Sequence, residues 1–573
     1  MKTWLPDCID SEFKDKDHHH VITGNLQIVQ NRKLRNLLAR GPNFREKNSI
    51  NTRIAKEEMV KGIDAYISKW CKKSRKSDRW MNEWRNLLIR KIDDKVKELN
   101  DGKLRNWKPK KKVLKDPDVI DELKELQEKY VIVPIDKAAN NIGLVCKKFY
   151  IKNIIQETGS SNYERIEERC NRIIEKQAKE SKELKCIVPE DHKSLPYIHA
   201  TIKMHKDPVK FRFIIASRKC AAKEVAKKLT KILKLILDVN RNYCKKIKWY
   251  TGVNRMWIAN STQDILEDIS RINKRNRAST VQTFDFSNLY TRIPLEDLKE
   301  KVKWCIEKAF KGGTNQWIRV DNDAKFDNGN NKKKGELFTK EQIFKMIDFI
   351  IDGAYFGIGE DVFRQITGIP MGTDPAPFLA NLYLYAYEFK YMENLTKNNY
   401  GIARKLFGHI KRFIDDLCGL NNGKYIEEHW QDIYPPELQL NKENEDEKRA
   451  SFLDLDINVE DKKFSTKIYD KRDAFNFSIV SMPDLRGNIA KAPAYGVLKG
   501  QMIRFARNCS KTTDFIYRMV LMIKGVLNKE YKMERIRNCV KQCLQDHPWI
   551  PTKFDTLAPI LLNRIFNELM MMM

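Results

Sequence analysis

The sequence predicts an α+β protein in which basic helical ends flank a middle that mixes short strands with helices. Three observations predict it. The apolar period changes from helical to two-residue alternation at about 131, and it returns to helical beyond about 484. The 573 residues are 42 % hydrophobic and 10 % aromatic, which supports a sizeable core and excludes a disordered basic tail. Single and paired carboxylates stand at the ends of short alternating runs, where strands present them rather than bury them.

Charge narrows the function classes. Lys and Arg number 108 against 77 Asp and Glu, a net charge of +31, and a surplus of that size points to an anionic partner, nucleic acid first. No run reaches the roughly 18 apolar residues of a membrane span, and the first residues lack a secretory apolar core, so neither a membrane protein nor a secreted one is expected. The 12 cysteines are scattered without zinc-site spacing, a pattern of reduced thiols. The run His18, His19, His20 reads as a solvated polar stretch.

Taken in order, residues 1–115 read as basic helices. The stretches 66–80 and 102–115 interleave Lys and Arg with Trp, a combination suited to a phosphate backbone with exposed bases. VIVPIDKAANNIGLVC (131–146) predicts two strands around a polar turn at 138–141, followed by helices over about 150–188 and more strands over 195–217. The Asn- and Gly-rich 312–335 predicts an exposed insertion.

Three pieces carry the chemistry. VQTFDFSNLYTRIP (281–294) alternates as a strand that delivers Asp285 to its end, before a helix near Pro294. GIPMGTDPAPFLANL (368–382) is a loop in which Gly368 and Gly372 permit close backbone approach and Pro370 stiffens the chain, leading into an apolar helix near Phe378. RFIDDLCGL (412–420) reads as a β-hairpin with Asp415 and Asp416 at its turn. Crowding like charges is costly unless a cation compensates, and two strands presenting Asp285 and Asp415 side by side suit a pair of Mg²⁺ ions, with Mn²⁺ as an alternative. Asp454 and Asp456, in SFLDLDI (451–457), read as the solvated face of a further hairpin.

DFSNLYTRIP, GIPMGTDPAPFLANLYL and FIDD, in that order, resemble motifs A, B and C of reverse transcriptases. More narrowly, the chain resembles the polymerase of Penelope-like retroelements. Asp136–Lys137 lies in a block similar to that group's DKG segment, 198–215 resembles its K-x-HK…RPI fingers segment, SFLDLDI its FLD block and GQMIRFARNCS (500–510) its helical thumb. Residues 24–46 are similar to an upstream segment. The resemblance implies a right-hand polymerase with fingers, palm and thumb. Residues 1–115 form a basic helical N-terminal extension, 116–280 fingers and upstream segment, 281–460 the palm with the insertion, and 461–573 the thumb and tail.

It further implies an RNA-directed DNA polymerase acting on an RNA template, a DNA primer and dNTPs, made in the cytoplasm and working in the nucleus. By the same resemblance Asp285 and Asp415 are the principal metal ligands, and Asp416 completes the acid triad. Tyr290 matches the aromatic gate that excludes a ribose 2′-hydroxyl. Arg212, Lys203 and Lys206 match the cations that meet the triphosphate, and Lys442 matches the lysine that protonates pyrophosphate. The competing reading is a catalytically inactive or domesticated nucleic-acid-binding protein that keeps this fold.

Overall fold

Four antiparallel strands at the centre of the chain are ordered Ile410–Phe413, Asp416–Leu420, Val281–Phe286, Leu440–Lys442. The computed structural model describes residues 21–23, 26, 28–47, 52–74, 78–101, 112–204, 209–311, 316–329 and 334–573. Alternation along the central strand sorts its side chains. Phe284 and Phe286 join Leu417 and Leu440 on one face, packed on the helices Lys223–Thr251, Leu295–Lys311 and Ala376–Asn398. Val281 shares the opposite face with Cys418 and Leu420, under helix Thr262–Asn273 and the sheet Arg449–Phe452, Leu455–Glu460, Lys463–Ile468. Asp285 and Asp416 lie on this second face at the end where the apolar cover stops.

An eight-stranded sheet builds the second lobe. It contains Tyr130–Ile135, Ala138–Cys146, Tyr197–Lys203 and Lys210–Ala216, and also Tyr355–Ile358 and Asp361–Gln365, which return to it from much later in the chain. The expected turn at 138–141 is instead at Asp136 and Lys137. Lys137 supplies the one left-handed residue (φ 65°) that the turn needs, and Ile135 pairs with Ala138. Asn140 and Asn141 are then left to bond outward. Within the stretch expected to be helical, Tyr163–Ile166 is a strand, because Asp361–Gln365 offers it a ladder partner.

The insertion also departs from expectation. Its strands Trp317–Val320 and Ala324–Asp327 pair with each other and with Glu336–Phe338, while Ile318, Val320 and Phe338 are buried in the main core. Alternating apolar residues within a polar, Asn-rich stretch anchor it there.

Helices Lys491–Asn508, Thr512–Leu527, Met533–Asp546 and Ala558–Met572 enclose a third core of their own. Among the described residues no helix is long and apolar enough to cross a membrane. Near the N-terminus Leu26, Val29 and Leu34 pack with Val119, Leu126 and Leu144, and helices Thr52–Ser74 and Asp78–Asn100 lie side by side. Residues 75–77 and 102–111 of the two basic stretches lie outside the described residues, as do His18, His19 and His20.

Two sets of hydrogen bonds bridge the lobes. Asn141 Nδ2 donates to the Ser478 carbonyl (2.8 Å), and the Val480 amide donates to Asn141 Oδ1 (2.9 Å). Asn43 donates to Asn140 (2.7 Å), and the Asn488 amide donates to the Arg45 carbonyl (2.7 Å). The hairpin tip of the second lobe, the N-terminal segment and the chain entering the helical lobe are therefore bound to one another.

Candidate functional site

Cross-strand register brings the acids together. Asp416 is the direct antiparallel partner of Asp285, and directly paired residues project on the same face. Asp415 occupies the two-residue turn of the hairpin, and its carbonyl accepts from the Phe286 amide (3.3 Å). Ile414, the first turn residue, has φ 58°. That is the position of a two-residue hairpin turn that glycine favours, and a β-branched residue there is strained by about 1–3 kcal/mol.

The strain is held by a group that pattern reading missed. Arg412 is fully buried (0 % exposed) against Glu388 (0 %), with which it makes a two-pronged ion pair. Its guanidinium also donates to Asn381 Oδ1 (2.9 Å) and to the Ile414 carbonyl (2.8 Å), and the Tyr434 hydroxyl donates to Glu388 (3.0 Å). Helix Ala376–Asn398 is thus tied to the backbone of the turn that carries Asp415. Removing one partner of such a pair leaves an uncompensated buried charge and costs about 3–5 kcal/mol. One signal for it was present in the sequence: Glu388 is the single acid between Ala376 and Met392.

The electrostatics single out Asp416. Its carboxyl is pushed up to about 7 by burial, then by the charge of Asp415 and those of Asp285 and Glu443, with Lys471 pulling the other way. Tyr290 is pushed up to about 12 by burial and then by Asp415, which places its hydroxyl within the field of the turn. Asp416 opens on a groove that Lys137, Glu443, Asp454, Lys471 and Arg504 also line.

The Gly-Pro loop locks this end of the sheet to the second lobe. The Gly368 amide donates to the Ile293 carbonyl (2.8 Å) and the Ile369 amide to the Tyr290 carbonyl (2.7 Å). A Cβ at Gly368 (φ 84°) would collide with that Tyr290 carbonyl, and one at Gly372 (φ 113°) with the carbonyl of Ile215. Pro370 is buried between them. The Ile215 amide in turn donates to the Met371 carbonyl (2.8 Å), so the strand carrying Arg212 docks on the loop.

Arg212 lies 3.6 Å from Asp136, whose other oxygen is buried without a hydrogen-bond partner. Lys203 ends strand Tyr197–Lys203 near Glu157, whose carboxyl burial raises, with the Tyr163 hydroxyl and then the Lys203 charge offsetting only part of it. Lys206 lies outside the described residues.

Two expectations are corrected. Lys442 pairs in register with Phe284 and so lies on the helix-covered face of the sheet, opposite the acids, where its ammonium contacts Glu427 (2.6 Å). One residue's parity along a three-residue strand decides this. Asp454 and Asp456 are not a solvated face. Arg504 (2.7 Å) and Asn508 (2.9 Å) hold Asp454, while Arg449 (2.9 Å) and Lys467 (3.6 Å) hold the buried Asp456.

Among the described residues no three His, Cys, Asp or Glu side chains converge into a ready-made metal cage. Asp285, Asp415 and Asp416 therefore do not form a closed three-ligand cage. That still fits Mg²⁺, which is held by one or two carboxylates with substrate phosphates completing its shell. Hard oxygen donors and a carboxyl crowded by like charge are the chemistry such a cation matches.

Telomerase from Candida albicans, in complex with the TWJ fragment of telomeric RNA, superposes with a TM-score of 0.58 at 14 % identity, over 94 % of this chain and 79 % of that one. Apo telomerase from Candida tropicalis gives 0.42 at 12 % identity, over 83 % and 78 %. The BmCPV RNA-dependent RNA polymerase at its elongation state gives 0.35 at 11 %, over 66 % and 29 %. No protein-family model matches the sequence, and no curated protein does. The fold is that of a right-hand, reverse-transcriptase-like polymerase.

Proposed function

We propose that the chain is an RNA-directed DNA polymerase of a Penelope-like retroelement, extending a primer 3′ end with dNTPs in the nucleus. One observation carries the reading: Asp285 and Asp416 are cross-strand partners beside Asp415, where burial first and then the charges of Asp415 and Asp285 raise the Asp416 carboxyl to about 7. A fold with no use for a cation has no reason to keep that crowding.

In this reading Asp285 and Asp415 hold the metal pair and Asp416 supports them. When bound, Mg²⁺ or Mn²⁺ supplies activation of the primer hydroxyl and neutralisation of the triphosphate charge. The Tyr290 ring occupies the volume of a ribose 2′-hydroxyl. Arg212 meets the triphosphate from the fingers, with Asp136 orienting it. The Gly368–Gly372 loop sets the distance between Tyr290 and the Arg212 strand. Lys442 has no part in this reading, because it faces away.

The test is primer extension by purified protein on RNA and DNA templates with Mg²⁺ and dNTPs. Extension on RNA supports the proposal, and no incorporation with any template or metal supports the inactive nucleic-acid-binding alternative.

A further inference from the structure

Helix Lys223–Thr251 is 29 residues long, but its buried stripe ends at Cys244. Beyond it the sequence runs Lys245, Lys246, Ile247, Lys248, Trp249, Tyr250. Trp249 is 79 % exposed and Tyr250 77 %, and their rings meet edge to face at 4.5 Å. This end of the helix is fixed. Gly252 (φ 71°) closes it, the Thr251 hydroxyl bonds the Ile247 carbonyl (2.7 Å), and the Tyr400 hydroxyl donates to the Thr251 carbonyl. Two large rings are therefore held in water on a rigid mount, at a cost in exposed apolar area that the fold itself does not require.

The surroundings are positive. Lys245, Lys246, Arg404 and Lys405 are exposed, the Arg404 side chain lies against Gly252, and the adjoining helix Tyr400–Leu406 contains no acid. The nearest acid along the helix, Asp238, is engaged by Arg241 (2.7 Å). Exposed rings among exposed cations match a phosphate backbone whose bases are free to stack. A duplex hides its base faces and can use only the lysines.

We propose that this helix end is a second nucleic-acid site, a stacking platform for single-stranded RNA or DNA. It is distinct from the acid groove. Lys248 Nζ donates to the Gly408 carbonyl (3.5 Å), at the end of strand Ile410–Phe413 away from Asp415. The strand between them spans about 13 Å at 3.3 Å per residue. The site does not depend on the chain being a polymerase.

The test uses the full chain and the double substitution Trp249→Ala/Tyr250→Ala, with Lys245→Gln/Lys246→Gln as its counterpart. Fluorescence anisotropy reads affinity for oligouridine, oligo(dT) and a blunt duplex across a salt series. The aromatic variant is expected to lose about tenfold for single strands, with duplex affinity and salt slope unchanged. The lysine variant is expected to weaken both and to flatten the salt slope. Photocrosslinking of 4-thiouridine oligomers is expected to label the Trp249–Tyr250 peptide, and Trp249→Phe/Tyr250→Phe to restore binding. Unchanged single-strand affinity in the aromatic variant, an equal loss for duplex, or binding without a crosslink at this peptide would each overturn the proposal. Because both rings point into solvent, matching thermal melts are expected and serve as the folding control.

Discussion

Two hairpins of this molecule share a sequence pattern and a backbone but not a charge environment. Phe413-Ile414-Asp415-Asp416 and Phe452-Leu453-Asp454-Leu455-Asp456 each turn through a branched residue with positive φ, 58° at Ile414 and 56° at Leu453, followed by an acid. In the second hairpin the protein supplies the counter-charges. Arg504 reaches Asp454 from helix Lys491–Asn508, and Arg449 and Lys467 clamp Asp456 from adjacent strands. In the first, Asp416 is buried beside Asp415, Asp285 and Glu443, with Lys471 pulling the other way, and Arg412 turns beneath the sheet to Glu388. A carboxylate motif therefore does not identify a metal site. The two hairpins differ in what surrounds the acid, ion pairs at Asp454 and Asp456 but burial and like charge at Asp416. Through Asp454 the second hairpin is riveted to helix Lys491–Asn508.

The largest expected effect breaks the comparison directly. Stabilising charge on a transferring phosphoryl group is worth roughly 10³–10⁵ in rate, so Asp415→Asn or Asp285→Asn is expected to lower primer extension about a thousandfold. Asp454→Asn is expected to leave incorporation nearly unchanged and to lower stability by about 1 kcal/mol, since its pair with Arg504 is part-exposed. Equal rates for the Asp454 and Asp415 variants in single-turnover assays would erase the distinction.

Next is the support beneath the turn. Arg412→Met leaves Glu388 charged and alone, at about 3–5 kcal/mol by chemical denaturation. Arg412→Met/Glu388→Met removes both charges and is expected to recover most of that stability. Its kcat is expected to stay down about a hundredfold, because the Ile414 carbonyl loses its anchor and Asp415 its aim. Full activity in the stable double variant would reduce the pair to packing.

Tyr290→Val sharpens the comparison from the substrate side. Discrimination between dNTP and rNTP is expected to fall about tenfold or more, read as the ratio of kcat/KM values.

The smallest effect is a pH dependence. In metal-free buffer the folded chain binds more protons at Asp416 than the unfolded chain does, between the ordinary 3.8 and about 7. Stability contributed there falls as pH rises through that window and stays low above it. Asp416→Asn is therefore expected to raise Tm slightly at about pH 8 and to leave it unchanged at about pH 4. Mg²⁺ is expected to protect the parent protein more strongly as the pH rises from about 6 to 8, because the ligands must be ionised. A parent Tm flat across this range in the absence of metal would remove the like-charge crowding from the account.

Much of the site could be read in one dimension. Alternation from Val281 to Phe286 marks a strand, FIDD marks a hairpin turn, and the glycines and prolines of 368–377 mark a loop before a helix. Each of these is a short-range pattern set by a few neighbouring side chains. Lys442 shows where this stops: its lysine is legible, but the face it occupies depends on pairing with Phe284, 158 positions earlier (442 − 284). Glu388 and Arg412 are each visible, yet nothing local says that they are partners. Strands Tyr355–Ile358 and Asp361–Gln365 lie between strands of the four-stranded sheet along the chain but belong to the eight-stranded sheet in space.

By itself the sequence determined the α+β class, the order of acid strand, loop and acid hairpin, and the positive charge that calls for an anionic partner. Local periodicity and composition carry those. Only the tertiary structure decided which acids are neutralised, which lysine faces away and how the Asp415 turn is braced. Register, burial and charge compensation join residues that lie far apart along the chain, and a carboxylate's energy is set by what surrounds it in space.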